Sequence, residues 1–246
     1  MLAWIIGFSL LGSLGAIGAA ALFLLFPESV RRFMIPSLVS FATGTLLGAA
    51  FLGMIPAALG RAPALTVMTT VLIGMVLFFV LEKLVLWRHS HEEPDDARGS
   101  AGPLILFGDS LHNFVDGVVI AVAFMTSIPL GIATALAVIA HEIPQEVGEF
   151  AILLDAGYGR TRALMLNALS ASMTLPGGIL AWFWLAGTQQ AVPYVLALSA
   201  ASFIYIATAD LIPSLHKQQT ATESVRQFVL LIAGIATIAL FYLGGH

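Results

Sequence analysis

The sequence predicts an all-α polytopic membrane protein, and three observations support this class. Hydrophobic residues make up 59% of the 246 residues, and charged residues only 10%. An ordinary soluble domain has about 25% charged residues. The mean hydropathy is +0.97, and long apolar stretches recur along the whole chain. We therefore expect a bundle of transmembrane helices without a large domain outside the lipid bilayer.

Eight stretches are long enough to cross a membrane, which takes about 20 apolar residues. The region 163–209 contains no charge, and as one helix it would be about 70 Å long, against a hydrocarbon core of about 30 Å. It must therefore turn, and Gly187–Pro193 is the expected place. The predicted spans are 2–26, 35–59, 64–87, 104–126, 129–155, 161–186, 191–214 and 224–244.

The distribution of Lys and Arg predicts the orientation, because cytoplasmic loops are enriched in both residues. The first stretch lacks a basic leader and is long for a signal peptide, so we expect it to be retained as a helix. If both termini lie outside the cytoplasm, Arg61 is the only one of the ten Lys and Arg residues on that outer side. The cytoplasmic side then holds Arg31, Arg32, Lys83, Arg88, Arg98, Arg160, Arg162, Lys217 and Arg226.

The predicted cytoplasmic loop 88–102 is short, and it contains His89 and His91 among acidic residues. Such a tract is a compositional hint of metal affinity, and a solvated linker without a bound ion is the alternative. The chain has no Cys, which excludes disulfides and thiolate metal sites. No pattern typical of nucleic-acid binding or nucleotide binding is present.

The residues that carry the chemistry lie in the fourth and fifth apolar stretches, 104–126 and 129–155. At about 100° per residue, the polar residues of each stretch fall on one side of the helix. Ionisable groups are costly in lipid, so they face a partner, an ion or a water-filled path. The two polar stripes consist of Asp109, His112, Asn113 and Asp116, and of His141, Glu142, Gln145, Glu146 and Glu149.

These two stripes predict a site for a divalent cation. Imidazole, carboxylate and amide groups suit Zn²⁺, Fe²⁺ or Mn²⁺, and the stripes contain no Lys or Arg to neutralise the carboxylates. A histidine or amide taken alone is explained equally well by a hydrogen bond between helices. In the predicted topology, Asp109 and Glu149 continue from the two histidine positions towards the cytoplasm. They are therefore candidates, with Glu146, for a metal exit path.

The same residues resemble the two signature segments of the ZIP (Zrt/Irt-like) family of metal transporters. The matching segments are His112-Asn113-Phe114-Val115-Asp116-Gly117 and His141-Glu142-Ile143-Pro144-Gln145-Glu146. The resemblance implies a bacterial-type member with eight helices in a 3+2+3 arrangement. Helices 1–3 and 6–8 would be inverted repeats around helices 4 and 5, and homodimers are common in the family. The metal ligands implied are His112, Asn113, Asp116, His141, Glu142 and Gln145.

The chain also departs from the family's pattern. Many members have a histidine at the position of Gln145, and a histidine and an acidic residue at the positions of Gly53 and Ala57. The amide of Gln145 is a weaker ligand than a histidine. We expect the absence of the histidine and the acidic residue from the second helix to affect the outer entrance of the metal pathway. Met54 lies nearby and is a candidate additional ligand, with packing as the alternative.

A short similarity between 40–59 and 202–215 fits inverted repeats, although chance similarity between apolar helices explains it as well. The resulting hypothesis is uptake of zinc into the cytoplasm across the cell membrane by alternating access, without an organic cofactor. Fe²⁺, Mn²⁺ and Cd²⁺ are alternative substrates. Two other functions stay open: an intramembrane zinc hydrolase, because His141-Glu142 begins a partial His-Glu-x-x-His motif, and a metal sensor without transport.

Overall fold

A computed structural model describes residues 1–89, 97–216 and 220–243, and the described residues form helices without any β-strand. Eight of these helices are long and apolar enough to cross a membrane. The predicted fold class, an all-α multi-pass membrane protein, is therefore confirmed. The helices are α1 (Leu2–Phe23), α2 (Glu28–Leu59), α3 (Ala64–His89), α4 (Ala97–Thr126), α5 (Ile128–Asp155), α6 (Arg160–Gly187), α7 (Gln189–Leu215) and α8 (Ala221–Leu243).

Two helix starts differ from the sequence prediction. Helix α2 begins at Glu28, before the predicted span 35–59, and α4 begins at Ala97, inside the predicted loop 88–102. A count of apolar residues identifies only the part of a helix that is apolar enough for lipid. The helix itself can extend beyond that part where the more polar residues next to it also adopt helical conformation. In α2, the Glu28 carboxylate pairs with Arg32 one turn later, which stabilises the exposed first turn.

Helices α2 and α7 share an irregularity. Each contains a six-residue π-helical segment, Ala49–Met54 in α2 and Ile206–Leu211 in α7. Each segment is followed directly by an Ile-Pro pair, Ile55-Pro56 or Ile212-Pro213. A proline has no N–H, so the preceding turn has to rearrange its hydrogen bonds. The inverted repeats and the 3+2+3 arrangement stay predictions.

Helix α4 packs most extensively against α6 and α5. The backbones of α4 and α6 touch, since a Cβ at Gly117 would lie 1.9 Å from the carbonyl oxygen of Thr174. A Cβ at Gly177 would lie 2.1 Å from the carbonyl oxygen of Phe114. Glycine at these two positions therefore fixes the distance between α4 and α6. Because α4 carries the polar stripe, this contact also positions that stripe.

A Gly117→Ala variant tests this contact. We expect it to destabilise the protein by about 1–3 kcal/mol or more, because the new methyl group overlaps backbone atoms that have no room to move. Thermal unfolding of the purified protein in detergent measures the effect. The matched control is Gly108→Ala on the same helix, where a Cβ meets no atom within 4 Å. Equal melting temperatures for the two variants would contradict the close packing of α4 and α6.

Candidate metal site

Four side chains of the two polar stripes meet between α4 and α5. His112 and Asp116 lie one turn apart on α4, so they project from the same face, and His141 and Glu142 are neighbours on α5. One nitrogen or oxygen of each lies within 4.8 Å of the corresponding atoms of the other three. The structure thus brings together four of the six predicted ligands in one cluster.

The separations within this cluster match the size of a metal ion. The His112 and His141 Nε2 atoms lie 3.3 Å apart. Glu142 Oε1 lies 3.3 Å from His112 Nε2 and 3.4 Å from His141 Nε2. Asp116 Oδ2 lies 3.1 Å from His141 Nε2 and 3.9 Å from His112 Nε2. Tetrahedral zinc, with bonds of about 2.0–2.1 Å, separates its ligand atoms by about 3.3–3.5 Å.

The orientation of His141 is fixed by the backbone of its own helix. Its Nδ1 atom lies 3.0 Å from the carbonyl oxygen of Ala137, and a carbonyl oxygen only accepts hydrogen bonds, so Nδ1 carries the proton. In the neutral ring, Nε2 is then an acceptor, and it faces the other members of the cluster. This arrangement, in which the second nitrogen donates to a carbonyl group, is the usual one for histidines that bind metals.

The carboxylates of the cluster are buried, and no Lys or Arg within the described residues balances their charge. Asp116 is 0% exposed and Glu142 is 1% exposed, and none of their four oxygens accepts a hydrogen bond from the described residues. The ion pairs described at this position involve only His112 and His141. An unpaired buried charge is strongly unfavourable, so the donor set fits a divalent cation in its centre.

The cluster is closed on one side and partly open on the other. The Phe203 ring of α7 meets the His141 ring edge-on, with 6.1 Å between their centroids, and Phe203 is fully buried. The His112 side chain, in contrast, is 21% exposed. The His112 side is therefore the more open side of the cluster.

The two predicted amide ligands make hydrogen bonds with residues outside the cluster. The Asn113 amide donates to Asp109 Oδ1 at 2.9 Å, and its oxygen accepts from Thr174 at 3.0 Å. The Gln145 amide donates to Asp109 Oδ1 at 3.4 Å and to Glu149 Oε1 at 3.3 Å. Binding of the ion by Asn113 and Gln145 stays a prediction.

The three candidate exit-path residues also lie next to the cluster. Asp109 and Glu149 are joined through the shared Gln145 amide. Glu146 is buried and accepts a short hydrogen bond from the Asn167 amide of α6. One carboxylate oxygen of each of the three accepts no hydrogen bond from the described residues.

The remaining predicted positions lie elsewhere. Met54 is fully buried in the hydrophobic core. A Cβ at Gly53 would lie 2.9 Å from the Tyr242 ring, so a histidine at position 53 would require Tyr242 to move. The side chains of His89 and His91 lie outside the part of the chain that is described, and a metal site in that loop stays a prediction.

Sequence analysis missed two residues of α6 that contact the polar stripes. Thr174 binds Asn113, and Asn167 binds Glu146. Both are uncharged polar residues in a helix that also contains Ser170 and Ser172, so the sequence does not single them out or point to a partner. Their side chains are 1% and 2% exposed, and this burial distinguishes them from surface residues only once the fold is known.

The fold and the cluster together define a multi-pass membrane protein with a buried candidate site for a divalent cation. Residues 88–242 match the family described as ZIP zinc transporter. The chain belongs to this family, as its two signature segments predict. Membership places the chain among transporters rather than enzymes, and the hydrolase hypothesis is therefore not supported.

Two relatives illustrate this similarity. The chain is 35% identical over 225 residues to the zinc transporter ZIP13 of Pongo abelii, with coverage of 84% of this chain and 66% of the relative. It is 30% identical over 325 residues to the zinc transporter SLC39A7 of Mus musculus, with coverage of 94% and 68%. The chain thus spans about two thirds of the length of these relatives.

Removal of one imidazole tests the cluster. We expect His141→Ala to lower zinc affinity by more than about 100-fold, since even loss of an outer-shell partner lowers affinity about 10–100-fold. Titration calorimetry on the purified protein measures this affinity. His216→Ala, which removes an exposed histidine, is the control and should bind zinc as the parent does. Unchanged affinity in His141→Ala would show that the ion binds elsewhere.

Proposed function

We propose that this protein carries zinc across the cell membrane into the cytoplasm by alternating access, with the ion bound between α4 and α5. The observation that carries the proposal is the cluster of His112, Asp116, His141 and Glu142, whose spacing suits a tetrahedral divalent ion. Family membership supports the same function, because the relatives are named zinc transporters. Fe²⁺, Mn²⁺ and Cd²⁺ are further candidate substrates, since two imidazoles and two carboxylates suit several transition metals.

The depth of the site supports alternating access. Three of its four side chains are at most 1% exposed, so an ion bound there has no open path to both sides at once. Release requires the helices around the cluster to move. The chain has no nucleotide-binding motif, so transport would follow the metal gradient or be coupled to another ion.

The proposed direction rests on the acidic residues beyond the cluster. Helices α4 and α5 are antiparallel neighbours, so Asp109, before His112, and Glu149, after His141, lie at the same end of the pair. The Gln145 amide contacts both carboxylates, so they form one acidic step next to the site. The distribution of Lys and Arg assigns this end to the cytoplasm, with both termini outside. The homodimer implied by the family stays a prediction.

Uptake into proteoliposomes tests the proposed function. We expect radioactive zinc to accumulate with the parent protein, and a His112→Ala, Glu142→Ala double variant to reduce the rate at least about 100-fold, because two of four ligands are lost. The matched control is the double variant His216→Ala, Glu28→Ala, which also removes one imidazole and one carboxylate, but outside the cluster. Within the described part of the chain, Glu28 pairs with Arg32 at an exposed position, and such pairs contribute little to stability.

Three outcomes would contradict the proposal. The first is that the parent protein takes up none of Zn²⁺, Fe²⁺, Mn²⁺ and Cd²⁺. The second is equal uptake by the parent and the ligand variant. The third, zinc binding to the parent without uptake, would favour a metal sensor.

A further inference from the structure

We propose that the Thr134 hydroxyl of α5 contacts the metal ion on its way from the outer side of the membrane to the cluster. This inference rests on the proposed function and concerns the path to the same site. Neither the two signature segments nor the two polar stripes include Thr134. The observation that carries the inference is a buried hydroxyl group that makes no hydrogen bond with the described residues.

The Thr134 hydroxyl differs from those of the other buried threonines in the described part of the chain. Thr43, Thr45 and Thr174 each donate to a backbone carbonyl of their own helix, three or four residues earlier, at 2.8–2.9 Å. This is the usual partner for a hydroxyl on a helix. Thr134 is 0% exposed, yet its hydroxyl does not use the carbonyl of Leu130 one turn earlier. A polar group that is buried in this way is unfavourable unless a partner visits it.

The position of Thr134 on α5 connects this hydroxyl with the cluster. Thr134 precedes His141 by seven residues, which is about two helical turns. The two side chains therefore lie within about 20° of each other around the helix, and about 10 Å apart along it. In the proposed orientation α5 begins at the outer side, so Thr134 lies outward of His141. An ion that arrives from outside would pass Thr134 before it reaches His141.

The bundle is closed outward of Thr134 by apolar contacts between α2, α5 and α8. Leu130 lies one turn before Thr134 on the same face of α5, and it is 1% exposed. Leu130 and Tyr242 both reach towards Gly53 of α2, where an added Cβ would lie 3.0 Å from Leu130 Cδ1 and 2.9 Å from the Tyr242 ring. The Thr134 hydroxyl therefore lies between this outer closure and the cluster.

The chemistry of a hydroxyl suits a temporary contact with a cation. Its oxygen has two lone pairs, so it can bind the ion directly or accept a hydrogen bond from a water molecule that the ion retains. Either contact satisfies the buried group while the ion passes. One neutral oxygen holds a divalent cation less strongly than two imidazoles and two carboxylates together, so the ion would move on to the cluster.

The experiment measures zinc uptake into proteoliposomes and thermal unfolding of the same purified variants. We expect Thr134→Val to raise the KM for zinc about fivefold, the equivalent of one net hydrogen bond, without a large change in the maximal rate. Its melting temperature should not fall, because the lost hydroxyl has no partner within the described residues. Thr134→Ser keeps a hydroxyl and should retain the parent's KM.

The matched control is Thr43→Val, which removes an equally buried hydroxyl that is bonded to its own helix. It should leave the KM unchanged. A second measurement does not depend on transport. The chain has no Cys, so Thr134→Cys introduces a single thiol. We expect a water-soluble thiol reagent added outside to label it, Zn²⁺ to slow the labelling, and Thr43→Cys to stay unlabelled.

Several results would overturn the inference. The first is the parent's KM in Thr134→Val, and the second is an equal rise in Thr134→Val and Thr134→Ser. A lower melting temperature together with weaker uptake in Thr134→Val would assign the hydroxyl a structural role. Thr134→Cys that is not labelled, or whose labelling zinc does not slow, contradicts the inference even if Thr134→Val does not fold. Absence of uptake by the parent would instead contradict the proposed function.

Discussion

The structure depends on one electrostatic constraint: two imidazoles and two carboxylates converge in the buried interior, and no Lys or Arg of the described residues pairs with them. The two imidazole nitrogens lie 3.3 Å apart, and they lie between 3.1 and 3.9 Å from the two carboxylate oxygens. The His141 proton is engaged by the Ala137 carbonyl, so it does not relieve the repulsion within the cluster. A divalent cation relieves it, and its preferred ligand spacing is close to the spacing observed.

The surrounding helices keep these donors in place by packing rather than by charge. Gly117 and Gly177 allow α4 and α6 to touch at the backbone, and Phe203 covers the His141 ring. Around the cluster, neutral amides of Asn113, Gln145 and Asn167 orient the outer carboxylates. The result is an inner set of four converging side chains beside a polar network that links α4, α5 and α6. Such a division suits an ion that has to be selected and then released.

The sequence was sufficient for the number of helices and for four members of the cluster. Helical periodicity and the cost of charge in lipid predict two polar stripes that contain all four residues, and the resemblance to the family reduces these stripes to six candidate ligands. Periodicity does not show which neighbour a side chain meets within its stripe, so the contacts of Asn113 and Gln145 with Asp109 were not foreseen. Thr174 and Asn167 were missed because their role depends on how closely α6 approaches α4 and α5, a distance that no local pattern encodes.

The most direct test of the central claim is anomalous scattering from crystals loaded with zinc, recorded on both sides of the zinc absorption edge. The constraint predicts a peak surrounded by His112 Nε2, His141 Nε2 and one oxygen each of Asp116 and Glu142, at distances of about 2.0–2.2 Å. A zinc peak elsewhere, with these four side chains turned towards separate protein partners, would contradict the account.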